Sequence, residues 1–270
     1  MAQASNGMNY RRAGIGPAVV LLHGIPGQGQ AWKHVEAGLI ADFDVVVPDL
    51  IGFGASAGPA TPTIDAVGPD AQAAGVATLL EELGVKSATV VGHDFGAPVG
   101  VVLAATRPDL VGAVALLSGN VFPDTPIPFP LSLVNAPVLA GFFSRLLFSR
   151  PSLALMLRQG TGSGASPPDA AIYIGDRRQR RTIAAIFSGA LTHLEELYSP
   201  VAAGLDALQV PVLVGWGDRD PFFPVAQAER TAAVADARLR LFVGAGHFLP
   251  HERPTELAQE IAAFATAISR

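Results

Sequence analysis

The stretch Gly92-His93-Asp94-Phe95-Gly96 follows the apolar, β-branched run Ala88-Thr89-Val90-Val91 and opens an apolar, helix-like segment. Its two glycines permit a sharp strand-to-helix turn and keep side chains away from the central residue. Asp94 then stands at a helix N-terminus, where the macrodipole favours its ionised form. A carboxylate needs no base at neutral pH before it attacks. It can displace a leaving group from a saturated carbon and leave an alkyl ester on the protein. Attack on an ester carbonyl would give a reactive mixed anhydride, a poorer use of the same group. An aspartate is also a common helix N-cap, so its chemistry depends on partners elsewhere in the chain.

Three further loops follow predicted strands. His23-Gly24-Ile25-Pro26-Gly27 comes after Val19–Leu22, Trp216-Gly217-Asp218-Arg219-Asp220 after Val212–Val214, and Gly244-Ala245-Gly246-His247 after Leu239–Val243. Strand C-termini are where open α/β sheets bind ligands. A histidine oriented by a carboxylate can deprotonate water, which an alkyl ester needs for its hydrolysis. Both Asp218 and Asp220 are available as that carboxylate. No spacing resembles a metal site such as His-Glu-x-x-His. The chain has no cysteine, hence no disulfide or thiol chemistry. No metal and no cofactor is expected.

Several elements must position these residues. Ala18–Leu22, Val45–Val47, Ala88–Val91, Val111–Leu117, Val210–Val214 and Leu239–Val243 are short apolar runs bounded by turn residues, as in strands buried on both faces of a parallel sheet. Pro69–Leu83 and Val99–Thr106 read as helices between them, and Met8–Arg12 as an antiparallel edge strand. This alternation predicts an α/β fold with a doubly wound, mostly parallel sheet. The rhythm breaks between Val121 and Asp206. A proline-rich stretch there is followed by short amphipathic segments, Leu153–Leu157, Ala170–Ile174 and Ile183–Leu197, with Thr161–Ser166 as a flexible loop. The expected organisation is a core of residues 1–120 and 207–270 with a helical cap, residues 121–206, inserted between two strands.

Composition narrows the function classes. Half of the 270 residues are apolar and 15% are charged, enough for a large core and against extended disorder. A net charge of −5 leaves no basic footprint for nucleic acid. The cluster Arg177-Arg178-Gln179-Arg180-Arg181 reads as a solvated helix face. Prolines at 123, 126, 128, 130 and 137, with Arg145, interrupt the apolar stretch Val121–Phe148, so no membrane span is expected. Met1–Ala13 has no apolar region of a secretion signal, and a soluble cytoplasmic protein is expected. A homodimer is left open.

Taken in order, His-Gly-x-Pro at His23, Asp-Leu-x-Gly-x-Gly-x-Ser over Asp49–Ser56, Gly-His-Asp-x-Gly at Asp94, Trp-Gly-x-x-Asp at Trp216 and Gly-x-x-His at His247 resemble the α/β-hydrolases over essentially the whole chain. An aspartate at the elbow is similar to the branch holding epoxide hydrolases, haloalkane dehalogenases and haloacetate dehalogenases. The resemblance implies an Asp94–His247–Asp220 triad, with Asp220 selected over Asp218, which is left as a surface or capping carboxylate. It implies an oxyanion hole from the backbone N–H groups of Ile25 and Phe95. His23 and His93 resemble the family's structural histidines, while His34 and His251 read as surface or structural.

The leaving group separates the two substrate classes. A halide wants N–H donors in a dry pocket, and haloalkane dehalogenases resemble one another in placing a tryptophan after the nucleophile. Phe95 stands there, the residue after His23-Gly24 is Ile25 rather than asparagine, and Trp32 and Trp216 are the chain's two tryptophans. The Arg-rich elbow of haloacetate dehalogenases is absent. An epoxide needs an acid on the ring oxygen, and epoxide hydrolases resemble one another in using two cap tyrosines. The insertion offers Tyr173 and Tyr198, with His193 where a second tyrosine would align. Each of the three is also readable as an ordinary amphipathic residue. Phe122, Phe129, Phe142, Phe143 and Phe148 suggest a pocket for a small apolar substrate or, equally, a cap core. Epoxide hydrolysis is thus the leading expectation, with carbon–halogen hydrolysis second and a non-catalytic hydrolase-fold binding protein third.

Overall fold

The computed structural model describes residues 1–125 and 140–268. Eight strands form one sheet: β1 Ala2–Gln3, β2 Asn9–Ala13, β3 Ala18–Leu22, β4 Asp44–Pro48, β5 Ala88–His93, β6 Val111–Leu117, β7 Val212–Gly217 and β8 Arg238–Phe242. Their order is β1-β2-β4-β3-β5-β6-β7-β8. The β1–β2 and β2–β4 pairs at one edge are antiparallel, and the remaining pairs are parallel. Strand order reverses around β3, so β3 and β5 lie side by side at the centre, with their C-terminal loops adjacent.

The helices are α1 Lys33–Leu39, α2 Ile64–Val67, α3 Pro69–Glu82, α4 Gly96–Thr106, α5 Ala140–Leu147, α6 Arg150–Gln159, α7 Ala170–Tyr173, α8 Arg177–Thr192, α9 Leu194–Asp206, α10 Val225–Val234, α11 Leu249–Glu252 and α12 Pro254–Ile268. Side chains alternate across each strand. Val20, Leu22, Val46, Val90 and Val114 therefore meet α3 and α4 on one face of the sheet. Val19, Leu21, Val45, Val47 and Val91 meet α1 and α12 on the other. Burial on both faces is why these strands read as continuous apolar runs rather than alternating ones. α4 is buried nearly all round, from Gly96 to Ala104, because it lies between the sheet, α3 and α9.

Among the described residues, five helices, α5 to α9, lie between β6 and β7. The segment expected as one helix over Ile183–Leu197 is two: His193, at φ −123° and ψ 36°, ends α8 and turns the chain into α9. The β7 run begins two residues later than its apolar sequence suggests, because Pro211 cannot donate in a central ladder. The insertion is tied to the core by side chains read as solvated. Arg178 donates to the carbonyls of Ser56 and Gly54 at 2.8 Å each. The neighbouring Gln179, buried, donates to Gly27 O at 3.0 Å and accepts from Gly54 N at 3.1 Å. Arg177 and Arg181 remain exposed.

Candidate active site

β5 ends in a turn too tight for ordinary residues. Asp94 sits at φ +52°, in the left-handed region that side-chain-bearing residues rarely adopt. A methyl at Gly92 would collide with the Gly96 carbonyl, and one at Gly96 would lie 2.5 Å from Leu22 O. Both glycines are therefore required by close approach, as the sequence implied. Asp94 N donates to Leu117 O at 2.9 Å and Asp94 O accepts from Ala97 N at 3.0 Å, so the strained residue is held on both sides. Gly24 completes the fit, since a Cβ there would sit 2.5 Å from that of Asp94.

The Asp94 carboxylate has two different oxygens. Oδ1 accepts the Ile25 N–H at 2.6 Å. Oδ2 faces His247 Nε2 at 3.5 Å. On the far side of the ring, His247 Nδ1 lies 2.9 Å from Asp220 Oδ2. Asp220 is fixed in turn, its Oδ1 accepting from Phe222 N at 2.9 Å and Phe223 N at 3.1 Å. Asp94, His247 and Asp220 thus come together in line. Asp218 does not join them and instead accepts from Gly244 N at 2.7 Å as a loop cap.

Burial alone would disfavour charge on all of these groups. It opposes an imidazolium at His247, but the charge and hydrogen bond of Asp220, then those of Asp94, outweigh it and push the ring up to about 10. Burial likewise opposes ionisation of Asp94, yet the hydrogen bond and charge of His247, His93 and the Ile25 N–H hold its carboxyl below the usual range. His93, pulled down to about 4 chiefly by burial and then by the His247 charge, is neutral. Its Nε2–H donates to His247 O at 2.8 Å. His23, also lowered chiefly by burial, accepts the Leu50 N–H on Nε2 at 3.0 Å. Both are the structural histidines expected.

Asp94 and His247 open onto a cavity of about 850 Å³ between the sheet's C-terminal edge and α5–α9. Ile25 and Phe95 line it beside Asp94, and Leu155, Met156, Phe187 and Leu191 line it from the insertion. Among its described lining residues, Asp94 and His247 alone carry charge. Of the three candidate cap donors, Tyr198 lines the cavity, and burial followed by the negative charge of Asp94 raises its hydroxyl. Tyr173 does not reach it. That ring is buried edge-on against Phe248, with its hydroxyl unpartnered. His193 does not reach it either: its side chain is 51% exposed, 3.1 Å from Glu196 at the α8–α9 corner. Trp32 and Trp216 are buried outside the cavity. Phe122 and Phe148 are core residues, and Phe129 and the Phe142 side chain lie outside the described residues.

Sequence reasoning missed Asn120, which follows β6 and lines the cavity. Its Oδ1 accepts from Thr125 Oγ1 at 2.5 Å and from Phe122 N and Gln227 Nε2 at 3.0 Å each. It missed Glu252 as well, whose carboxylate accepts backbone N–H groups on either side of His247. Neither lies in a motif the resemblance supplies. Among the described residues no cluster of three or more His, Asp or Glu is placed to hold a metal ion. None of the described helices is long and apolar enough to cross a membrane.

A family model described as alpha/beta hydrolase fold matches residues 17–254. The chain belongs to that family. An uncharacterized Mycobacterium tuberculosis protein is 31% identical over 94% of this chain and 77% of its own length. Epoxide hydrolase A of the same organism is 27% identical, covering 98% of this chain and 96% of that protein. Among solved structures, an ancestral haloalkane dehalogenase superposes with a TM-score of 0.80 or better, at 0.82, covering 100% of this chain and 98% of its own at 23% identity. That last likeness speaks for the fold alone. Together, the family match and the relatives make the chain a hydrolase of this superfamily.

Proposed function

We propose that this hydrolase opens epoxides to diols through an ester on Asp94. The observation that carries the reading is the carboxylate–imidazole–carboxylate line on the floor of an apolar cavity, with Asp94 Oδ1 held by Ile25 N–H. Oδ2 is then the oxygen left to attack. It bonds to an epoxide carbon as the ring C–O bond breaks, and the ring oxygen takes the Tyr198 proton. With the Asp94 charge gone, His247 gives its resting proton through solvent to the Tyr198 phenolate; the neutral ring then removes a proton from water, whose oxygen attacks Asp94 Cγ. Charge grows on Oδ1, against Ile25 N–H and, on the family's pattern, Phe95 N–H. Collapse frees the diol oxygen, which takes the proton from His247. The carboxylic acid left at Asp94 gives its proton to His247, which restores the resting ion pair.

Epoxide is favoured over halide by what faces the nucleophile. Tyr198 offers a hydroxyl close enough to feel the Asp94 charge. Neither tryptophan lines the cavity, and the Phe95 side chain donates nothing. A halide expelled there would have no tryptophan N–H to take its charge, and burying it so poorly solvated would cost several kcal/mol. Apart from Asp94 and His247, the described lining is uncharged and mostly apolar, which suits an apolar substrate, and the volume admits a drug-sized one.

Intact-protein mass spectrometry of His247→Gln with a panel of epoxides and haloalkanes tests this. An adduct that maps to Asp94, absent from Asp94→Asn, is the expected result, with diol and not halide formed by the wild type. Faster halide than diol release across the panel would make this a dehalogenase, and no adduct with a turned-over substrate would remove the ester.

A further inference from the structure

Glu252 closes α11 five residues beyond His247. Its Oε2 accepts from Gly246 N at 2.9 Å and its Oε1 from Phe248 N at 3.0 Å. The carboxylate therefore grips the amide before His247 and the amide after it. Oε2 also accepts from Gly162 N at 2.8 Å, in the insertion. The same turn of the insertion supplies Gly160 O, which accepts the His247 N–H at 2.7 Å. Ser166 O in turn lies 2.9 Å from His251 Nε2. The stretch expected as a flexible loop, Thr161–Ser166, is thus bonded to the His247–Glu252 segment at two places, with Gly160 just before it as a third. No space is spare at this junction, because a Cβ on Gly162 or on Gly246 would collide with the opposite backbone.

Three N–H donors on one carboxylate is more than a surface residue needs, and charge-assisted bonds of this kind are roughly twice as strong as neutral ones. Resting on the function proposed above, we infer that Glu252 is a positioning residue: it sets His247 against Asp220 and couples the insertion's Gly160–Gly162 turn to the step that needs a base. Alkylation of Asp94 uses no base and is insensitive to it. Ester hydrolysis is not.

Rapid-quench measurement of both steps in Glu252→Ala and Glu252→Gln tests this. In the alanine variant the ester forms at the wild-type rate and hydrolyses about 100-fold more slowly, the usual cost of a base misplaced by about 1 Å. Glutamine falls between, because its oxygen can serve Gly162 and Gly246 while its NH2 opposes the Phe248 N–H. Equal slowing of both steps, or unchanged hydrolysis in folded protein, overturns the inference. Should alanine fail to fold, the glutamine variant carries the same comparison. If His247→Gln yields no ester, it is the proposed reaction that fails. NMR titration of the His247 ring then decides the positioning role by itself: withdrawal from Asp220 lowers the midpoint in either variant, and an unmoved midpoint refutes it.

Discussion

Asp220→Asn is nearly isosteric, and the structure dictates how its amide must sit. Phe222 N and Phe223 N both point at the Oδ1 position, at 2.9 and 3.1 Å. Two donors there require the amide oxygen, so the NH2 is turned toward His247 Nδ1. Nδ1 must then accept, and the ring proton moves to Nε2, the nitrogen that faces Asp94 and has to take a proton from water. The negative charge that does most to raise His247 disappears in the same change. In a serine-protease triad this tautomer error lowers kcat by about 10⁴. In the proposed reaction the loss falls on ester hydrolysis, because Asp94 attacks as a carboxylate without a base. Hydrolysis is expected to slow by roughly 10³- to 10⁴-fold while ester formation changes by about threefold or less. The steady-state signature is a fall in kcat and KM together, with kcat/KM retained, since kcat/KM reports the first step. Intact-mass quench kinetics would show nearly all the protein as ester. Hydrolysis within about tenfold of wild type, or a kcat/KM loss as large as that in kcat, would refute the assignment of Asp220 and the division of labour with it.

The cap donors separate cleanly. Tyr198→Phe is expected to slow ester formation by about 10²-fold, the usual worth of a general acid, whereas Tyr173→Phe and His193→Ala change it by little; quench-flow kinetics showing the largest loss in either of the latter two would displace Tyr198. Stability should peak near neutral pH. His247, raised to about 10, stabilises the fold fully below the unfolded value of 6.5, and that contribution is lost as pH rises toward 10. His93, lowered to about 4, acts oppositely: its contribution is present above 6.5 and lost as pH falls toward 4. Thermal melts from pH 4 to 10 showing a flat profile through this window would contradict both.

The parts of this molecule that could be read from the sequence are those where backbone geometry forces residue type. Gly92, Gly96 and Gly24 are there because a Cβ has nowhere to go. The loop after β7 ends in Asp220 because two amides and an imidazole need a carboxylate within reach. Strand runs were legible because burial on both faces of a parallel sheet leaves few choices of side chain. The cavity-facing side chains of the insertion obey no such constraint. A tyrosine on an amphipathic helix looks the same whether its ring meets Phe248, as Tyr173 does, or the cavity, as Tyr198 does. His193 aligned where a second donor was expected, but the helix break at that residue turns it outward. Arg178 and Gln179 looked like a solvated stripe because the carbonyls they bond, at Ser56, Gly54 and Gly27, lie more than 120 residues away in sequence.

An aspartate in place of a serine at position 94 also changes when the histidine can act. With two carboxylates around it, His247 holds its proton well above neutral pH, and its charge in return keeps the buried Asp94 ionised. For the proposed reaction, this leaves the resting site with an ionised nucleophile and a protonated base. In the proposed reaction, esterification removes the charge at Asp94 and with it one of the two attractions on the imidazolium. His247 becomes easier to deprotonate only once there is an ester to hydrolyse. A serine at this position would need a neutral histidine from the outset, and with the Asp94 carboxylate gone one of the two attractions that hold the ring proton would be absent. The elbow residue thus decides both the bond the site can make and the order in which nucleophile and base become available, and the carboxylate at Asp220 keeps the ring aligned through both.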